Sequence, residues 1–96
     1  MFEWDPRKAA ANAGKHGVSF DEAVTTFLDA NALDGPDLQH SKEEKRFRRL
    51  GLSVEGRILM VAYTARRTGH AEAIRIISAR RASRNERAAY ASSDDD

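Results

Sequence analysis

Phe20, Ala23, Val24, Phe27 and Leu28 recur at i, i+3, i+4, i+7 and i+8, the spacing of one apolar helix face. Ser19, with Glu22 three residues later, has the pattern of a capping box and opens that helix. Upstream, Asp5-Pro6 reads as an N-cap and first helical residue, and the helix it starts runs from Pro6 to about Lys15. Lys8, Asn12, Lys15 and His16 form its polar stripe, Ala9, Ala10 and Ala13 permit close packing, and Gly17 is a left-handed stop. Two helices joined by Gly17-Val18 fold back on each other, and their shared apolar face needs a sheet to cover it.

The sheet is read from the remaining apolar runs. Phe2-Glu3-Trp4 is a short strand, and Asn31 to Asp34 is an edge strand that Gly35-Pro36 breaks. Asp37 to Glu44 is polar and loop-like. Arg46 to Leu52 is a strand of imperfect alternation, turned by Val54-Glu55-Gly56 into a central strand, Arg57 to Thr64, apolar on both faces. A loop from Ala65 to Ala71 leads to the last strand, Glu72 to Ser78. Three consecutive strands with short turns make an antiparallel meander. A second capping box, Ser83 to Glu86, opens a C-terminal helix from Arg84 to Ala91. The expected architecture is therefore α+β: an antiparallel sheet, two N-terminal helices on one face and a short C-terminal helix. Residues 1–91 form one domain, and 92–96 are an acidic, disordered tail.

Composition narrows the chemistry. Ninety-six residues give room for one small core, burying about 60–65% of the unfolded surface. The absence of cysteine excludes disulfides, thiol nucleophiles and thiolate metal sites. No apolar run approaches the roughly 20 residues of a membrane span, and no secretory leader pattern follows Met1, so a cytoplasmic protein with no membrane partner is expected. His16, His40 and His70 lie in three separate segments without ligand spacing, so no metal is expected. No glycine-rich phosphate loop, dinucleotide fingerprint or serine-nucleophile arrangement is present, and no cofactor is expected; Ser41 beside His40 cannot supply triad geometry.

The net charge of +1 conceals a strong asymmetry. Residues 1–40 carry three basic side chains against seven acids, and residues 41–90 carry thirteen against five, eleven of the thirteen being arginine. One face of the fold is then cationic and suits phosphate or an acidic partner, although a solvated surface explains it equally. Arg75, between isoleucines in the last strand, is the sharpest oddity: it either reaches an open sheet face or is paired with Glu72, Glu44 or Glu86. An arginine cleft could hold RNA and cleave it by attack of its own 2′-hydroxyl, which needs in-line positioning, charge stabilisation and proton transfer but no cofactor. His40, Glu72, Glu86 and Tyr90 are the candidates for proton transfer. A non-catalytic module that grips nucleic acid or an acidic partner with its basic face is the alternative, and a pure interaction protein with the arginine face buried against a partner is a third.

Phe2-Glu3-Trp4-Asp5, Lys15-His16-Gly17-Val18-Ser19-Phe20, His40-Ser41 with Glu44, Arg46 and Phe47, Gly56-Arg57, Tyr63-Thr64 and Ile74-Arg75-Ile76-Ile77-Ser78-Ala79-Arg80 form a series. Together with Glu86-Arg87 and Tyr90, that series resembles the BrnT toxin family over essentially the whole chain. The resemblance implies a RelE-like fold and a ribonuclease toxin that inhibits translation. It implies as partner a BrnA-like antitoxin with a ribbon-helix-helix part, through which operator DNA is bound. Within that frame Arg75 and Arg80 are assigned to phosphate stabilisation, His40 and secondarily Tyr90 to proton transfer. Arg66, Arg48, Lys15 and His16 are assigned to RNA contact, the last two doubling as a helix terminus favoured by the dipole.

Overall fold

Asp5 accepts the Arg7 N–H at 2.9 Å and Pro6 fills the first turn, so α1 (Pro6–His16) starts where the sequence places it. It ends at Gly17, whose φ of +67° is left-handed and whose N–H closes on the Ala13 carbonyl. Ser19 caps α2 (Phe20–Thr25), after which the chain tightens into a 3₁₀ turn over Thr26–Leu28. That tightening rotates the end of the apolar stripe: Phe20 and Ala23 are buried and Phe27 packs on the core, while Leu28 is 81% exposed. The computed structural model describes residues 1–40 and 44–93 apart from the Thr68 side chain. Ser41 and the tail residues Asp94 to Asp96 lie outside them.

The strands are β1 (Phe2–Glu3), β2 (Leu33–Pro36), β3 (Arg46–Leu52), β4 (Ile58–Thr68) and β5 (Ala71–Arg81), followed by α3 (Arg84–Ser92). They form one sheet in the order β1-β5-β4-β3-β2. The pairs from β2 to β5 are antiparallel, and β1 adds to β5 in parallel, so the sheet is mixed where an antiparallel one was expected. Two further differences have plain causes. Gly35-Pro36 lies inside β2 because this is an edge strand, where a proline needs no ladder partner on its nitrogen side. The expected loop from Ala65 to Ala71 is instead the end of a long hairpin, with Thr68 opposite Ala71 and Gly69 at φ +62° in the two-residue turn.

The core lies between α1, α2 and one sheet face, with Val18, Phe20, Ala23, Leu59, Val61, Tyr63, Ile76 and Ala79 at its centre. Asn12, read from sequence as part of a polar stripe, is buried. Its amide donates to the Val18 and Ala79 carbonyls at 2.9 and 2.7 Å and accepts the Ala79 N–H at 3.1 Å, fastening α1 to β5. Gly51 lets the 3₁₀ turn lie directly on β3, since a Cβ there would stand 3.0 Å from the Thr26 Cβ. No helix among the described residues is long and apolar enough to cross a membrane.

Candidate functional site

Alternation assigns Leu59, Val61 and Tyr63 of β4 to the core, so Met60, Ala62 and Thr64 face the other side of the sheet. The register then generates rows across that second face. Leu50, Met60 and Arg80 form one row, Arg48, Ala62 and Ser78 the next, and Arg46, Thr64 and Arg75 the third. Arg66, opposite Ala73, continues the series towards the hairpin. The result is a floor of Met60, Ala62 and Thr64 on β4 with arginines on both flanking strands.

Arg75 reaches this face through a register shift. Counting back from Ala79, which is in the core, a regular strand would put Ile77 and Arg75 in the core as well. Instead Ala62 pairs with Ser78 and Tyr63 with Ile76, leaving Ile77 as an extra residue in a β-bulge. Ile76 thereby enters the core and Arg75 turns to the open face. Among the described residues Arg75 has neither an ion-pair partner nor a side-chain hydrogen bond, although Glu3 stands next to it in register on β1. Beside it, the buried Thr64 hydroxyl has no hydrogen-bond partner among the described residues.

Arg80 and Arg48 are held differently. Glu86 closes the capping box of α3 through the Ser83 N–H and also accepts both Nη groups of Arg80, at 2.7 and 2.9 Å. Arg48 Nη2 stands 3.7 Å from the same carboxylate. The Arg80 guanidinium, outweighing burial, lowers the Glu86 carboxyl to about 2, so Glu86 stays ionised and is a clamp rather than a proton donor. Arg48 and Arg80 line a pocket of about 260 Å³ with Met60, Ala62, Ser78, Asp37 and His40. His40 Nδ1 lies 3.1 Å from both carboxylate oxygens of Asp37, and its ring is largely exposed.

The other sequence candidates stand apart from the pocket. Arg66 is exposed in the hairpin, 3.6 Å from Glu44, and Glu72 is 3.8 Å from Arg67. Tyr90 donates to Asp29 at 2.6 Å and braces α3 against the loop before β2. Lys15 and His16 end α1, which packs on the helix-bearing side of the sheet. Two arginines of the basic half are structural. Arg49, on the core side, pairs with Asp34, bonds the Thr26 and Asp29 carbonyls and lies over the Phe27 ring. Arg57 pairs with Glu22. Tyr63 donates to Asp34, and burial followed by that bond pushes its hydroxyl pKa up, which removes it from proton transfer. Sequence reasoning missed Asp37, Glu3, Thr64 and the bulge. The Asp-x-x-His spacing of Asp37 and His40 and the Ile76-Ile77 doublet were the available signals. No group of three or more His, Asp or Glu residues suited to hold a metal occurs among the described residues.

Residues 4–86 match the family model described as the ribonuclease toxin BrnT of type II toxin–antitoxin systems. Among solved structures, the chain is similar to the 1.1 Å crystal structure of the Brucella abortus ribonuclease toxin BrnT. The two are 28% identical with a TM-score of 0.63, over 88% of this chain and 99% of that one. No curated protein gives a significant match.

Proposed function

The chain belongs to the BrnT family of ribonuclease toxins of type II toxin–antitoxin systems, and from that premise we propose that the open sheet face cleaves RNA without a metal ion. The observation that carries this reading is Arg75, a guanidinium turned onto an open face with no partner among the described residues, among cations that flank the uncharged side chains of β4. In the reaction, the ribose 2′-oxygen attacks phosphorus in line, the O2′–P bond forms, and the P–O5′ bond breaks. The 2′-hydroxyl proton is taken up at the start and a proton is delivered to the departing 5′-oxygen. Arg75 offers its free fork to the non-bridging oxygens as negative charge builds on them. Arg80 and Arg48, fixed by Glu86, position the neighbouring phosphate or sugar with the N–H bonds turned away from the carboxylate. His40 is the proton carrier, since its imidazole lines the pocket and its ring nitrogens offer both an acceptor and a donor. Arg66 lies on the same face and extends the track for the strand.

Type II membership implies an antitoxin partner. We assign to it the BrnA-like, ribbon-helix-helix class, with operator DNA contacted through that partner, and growth arrest by inhibited translation in the cytoplasm when the toxin stands alone. The deciding experiment incubates purified protein with RNA, with and without a chelator, and maps the ends. Cleavage that survives chelation and leaves 2′,3′-cyclic phosphate supports the reading. Salt-sensitive binding with intact RNA replaces it with the non-catalytic alternative.

A further inference from the structure

Asp37 starts a short 3₁₀ turn, Leu38–His40, immediately after the edge strand β2. Its backbone N–H is tied to the Arg46 carbonyl at 2.8 Å and its carbonyl accepts the His40 N–H at 3.3 Å. The turn therefore sets the two side chains on the same side of the backbone, three residues apart. The Asp37 side chain is only 10% exposed, whereas the His40 ring is 61% exposed. A carboxylate buried behind a solvent-facing imidazole, with Nδ1 equidistant from both its oxygens, has the arrangement that orients a histidine.

We infer that Asp37 is a positioning residue: it holds His40 in the Nδ1–H tautomer and presents Nε2 to the pocket as the proton-accepting atom. The chemistry follows from donor inventory. An ionised carboxylate only accepts, so the nitrogen bonded to it must carry the hydrogen, and the neutral ring then has its lone pair on Nε2. Nε2 has no hydrogen bond among the described residues, which leaves it available to the 2′-hydroxyl. The charged groups that share the pocket are Arg48 on β3 and Arg80 on β5, both already drawn towards Glu86 on α3. Asp37 is thus the acid that serves His40, and Glu86 the acid that serves the arginines. This inference rests on the ribonuclease reading for its consequence in catalysis, but not for the tautomer itself.

The test uses the full chain labelled with nitrogen-15, observed at a pH where imidazole is neutral, beside steady-state cleavage of RNA. Native protein should show the Nδ1–H pattern for His40. Asp37→Asn should give a mixed or Nε2–H pattern and lose roughly 10²-fold or more in kcat with little change in KM. Asp37→Glu, which restores a carboxylate, should recover the native tautomer and part of the rate. His40→Gln should cost about as much as the Asp37→Asn, His40→Gln double variant, because the two side chains act as one unit. The backbone bonds of Asp37 survive these substitutions, and an unchanged unfolding midpoint separates positioning from folding. The inference is overturned if Asp37→Asn keeps the native tautomer, or if it keeps full kcat while His40→Gln loses it. A native protein that shows the Nδ1–H tautomer, lost in Asp37→Asn, yet cleaves no RNA upholds the dyad and removes the ribonuclease reading instead.

Discussion

Glu22, on α2, accepts the Arg57 Nε at 3.0 Å and the Ser53 hydroxyl at 2.7 Å with a side chain only 4% exposed. The Arg57 bond, outweighing burial, holds this carboxyl at about 2 against a usual 4.5, and Glu86 is lowered to the same level by Arg80. Both groups bind protons more weakly folded than unfolded. Their stabilisation is complete above about pH 4.5 and is lost as the pH falls towards about 2. Glu22→Gln should therefore cost roughly 2–3 kcal/mol at neutral pH, less than a fully buried pair because Arg57 keeps some access to water. The same variant should flatten the pH dependence across that acid window, as measured by urea denaturation at a series of pH values. Arg75 is the opposite case. Having no bond to lose among the described residues, Arg75→Ala should leave unfolding free energy within about 0.5 kcal/mol. It should nevertheless lower kcat/KM for RNA cleavage by roughly 10²–10³. A thermal melt beside a cleavage assay separates the two effects.

At the scale of elements, β5 holds the least regular geometry and the most chemistry. The bulge places one isoleucine more than the ladder needs between Arg75 and Ser78. Deleting Ile77 keeps Ser78 opposite Ala62 and Arg75 opposite Thr64 in a plain ladder, so the shortened chain should fold with Arg75 still on the open face. Deleting Ile76 gives the same chain, since the two residues are identical. Cross-strand NMR contacts between Ala62 and Ser78 check the register, and their loss would refute it. This strand also shows what the sequence could and could not tell. The bounds of β3, the caps at Asp5, Ser19 and Ser83 and the stop at Gly17 follow from local chemistry, and they stand where local chemistry puts them. Ile74-Arg75-Ile76-Ile77 reads equally well in two registers, and only pairing with β4 chooses between them. Asn12 and Leu28 exchanged their expected environments for a similar reason. The Ala79 carbonyl and N–H on β5 needed an amide, and the switch from α to 3₁₀ geometry turned the last leucine outward. His40 and Arg80 were visible as residue types, but their common pocket depends on β2, β3 and β5 lying in one sheet.

Across the whole molecule, charge separates by face as well as by sequence. The acidic first forty residues supply Asp34 and Glu22 to neutralise Arg49 and Arg57 around the core, while Arg46, Arg48, Arg66, Arg75 and Arg80 lie on the opposite sheet face. Single-stranded RNA binding should therefore weaken steeply with salt. With three or four phosphates engaged, log Kd against log salt should have a slope of magnitude about 2–3, and Arg75→Ala should reduce it by about 0.7. Titrations of a fluorescent RNA at several salt concentrations measure both.

The parallel pairing of β1 with β5 has a consequence in time. Phe2 and Glu3 bond to Ile74 and Arg75, some seventy residues away along the chain. At usual rates of synthesis, roughly 5–20 residues per second, the first strand waits on the order of 4–14 s for its neighbour to be made. The strand it waits for is the one that carries Arg75 and Arg80. A nascent chain on the ribosome thus has neither its sheet edge nor its cleft until the codons for β5 have been read, and the first strand must stay unpaired until then.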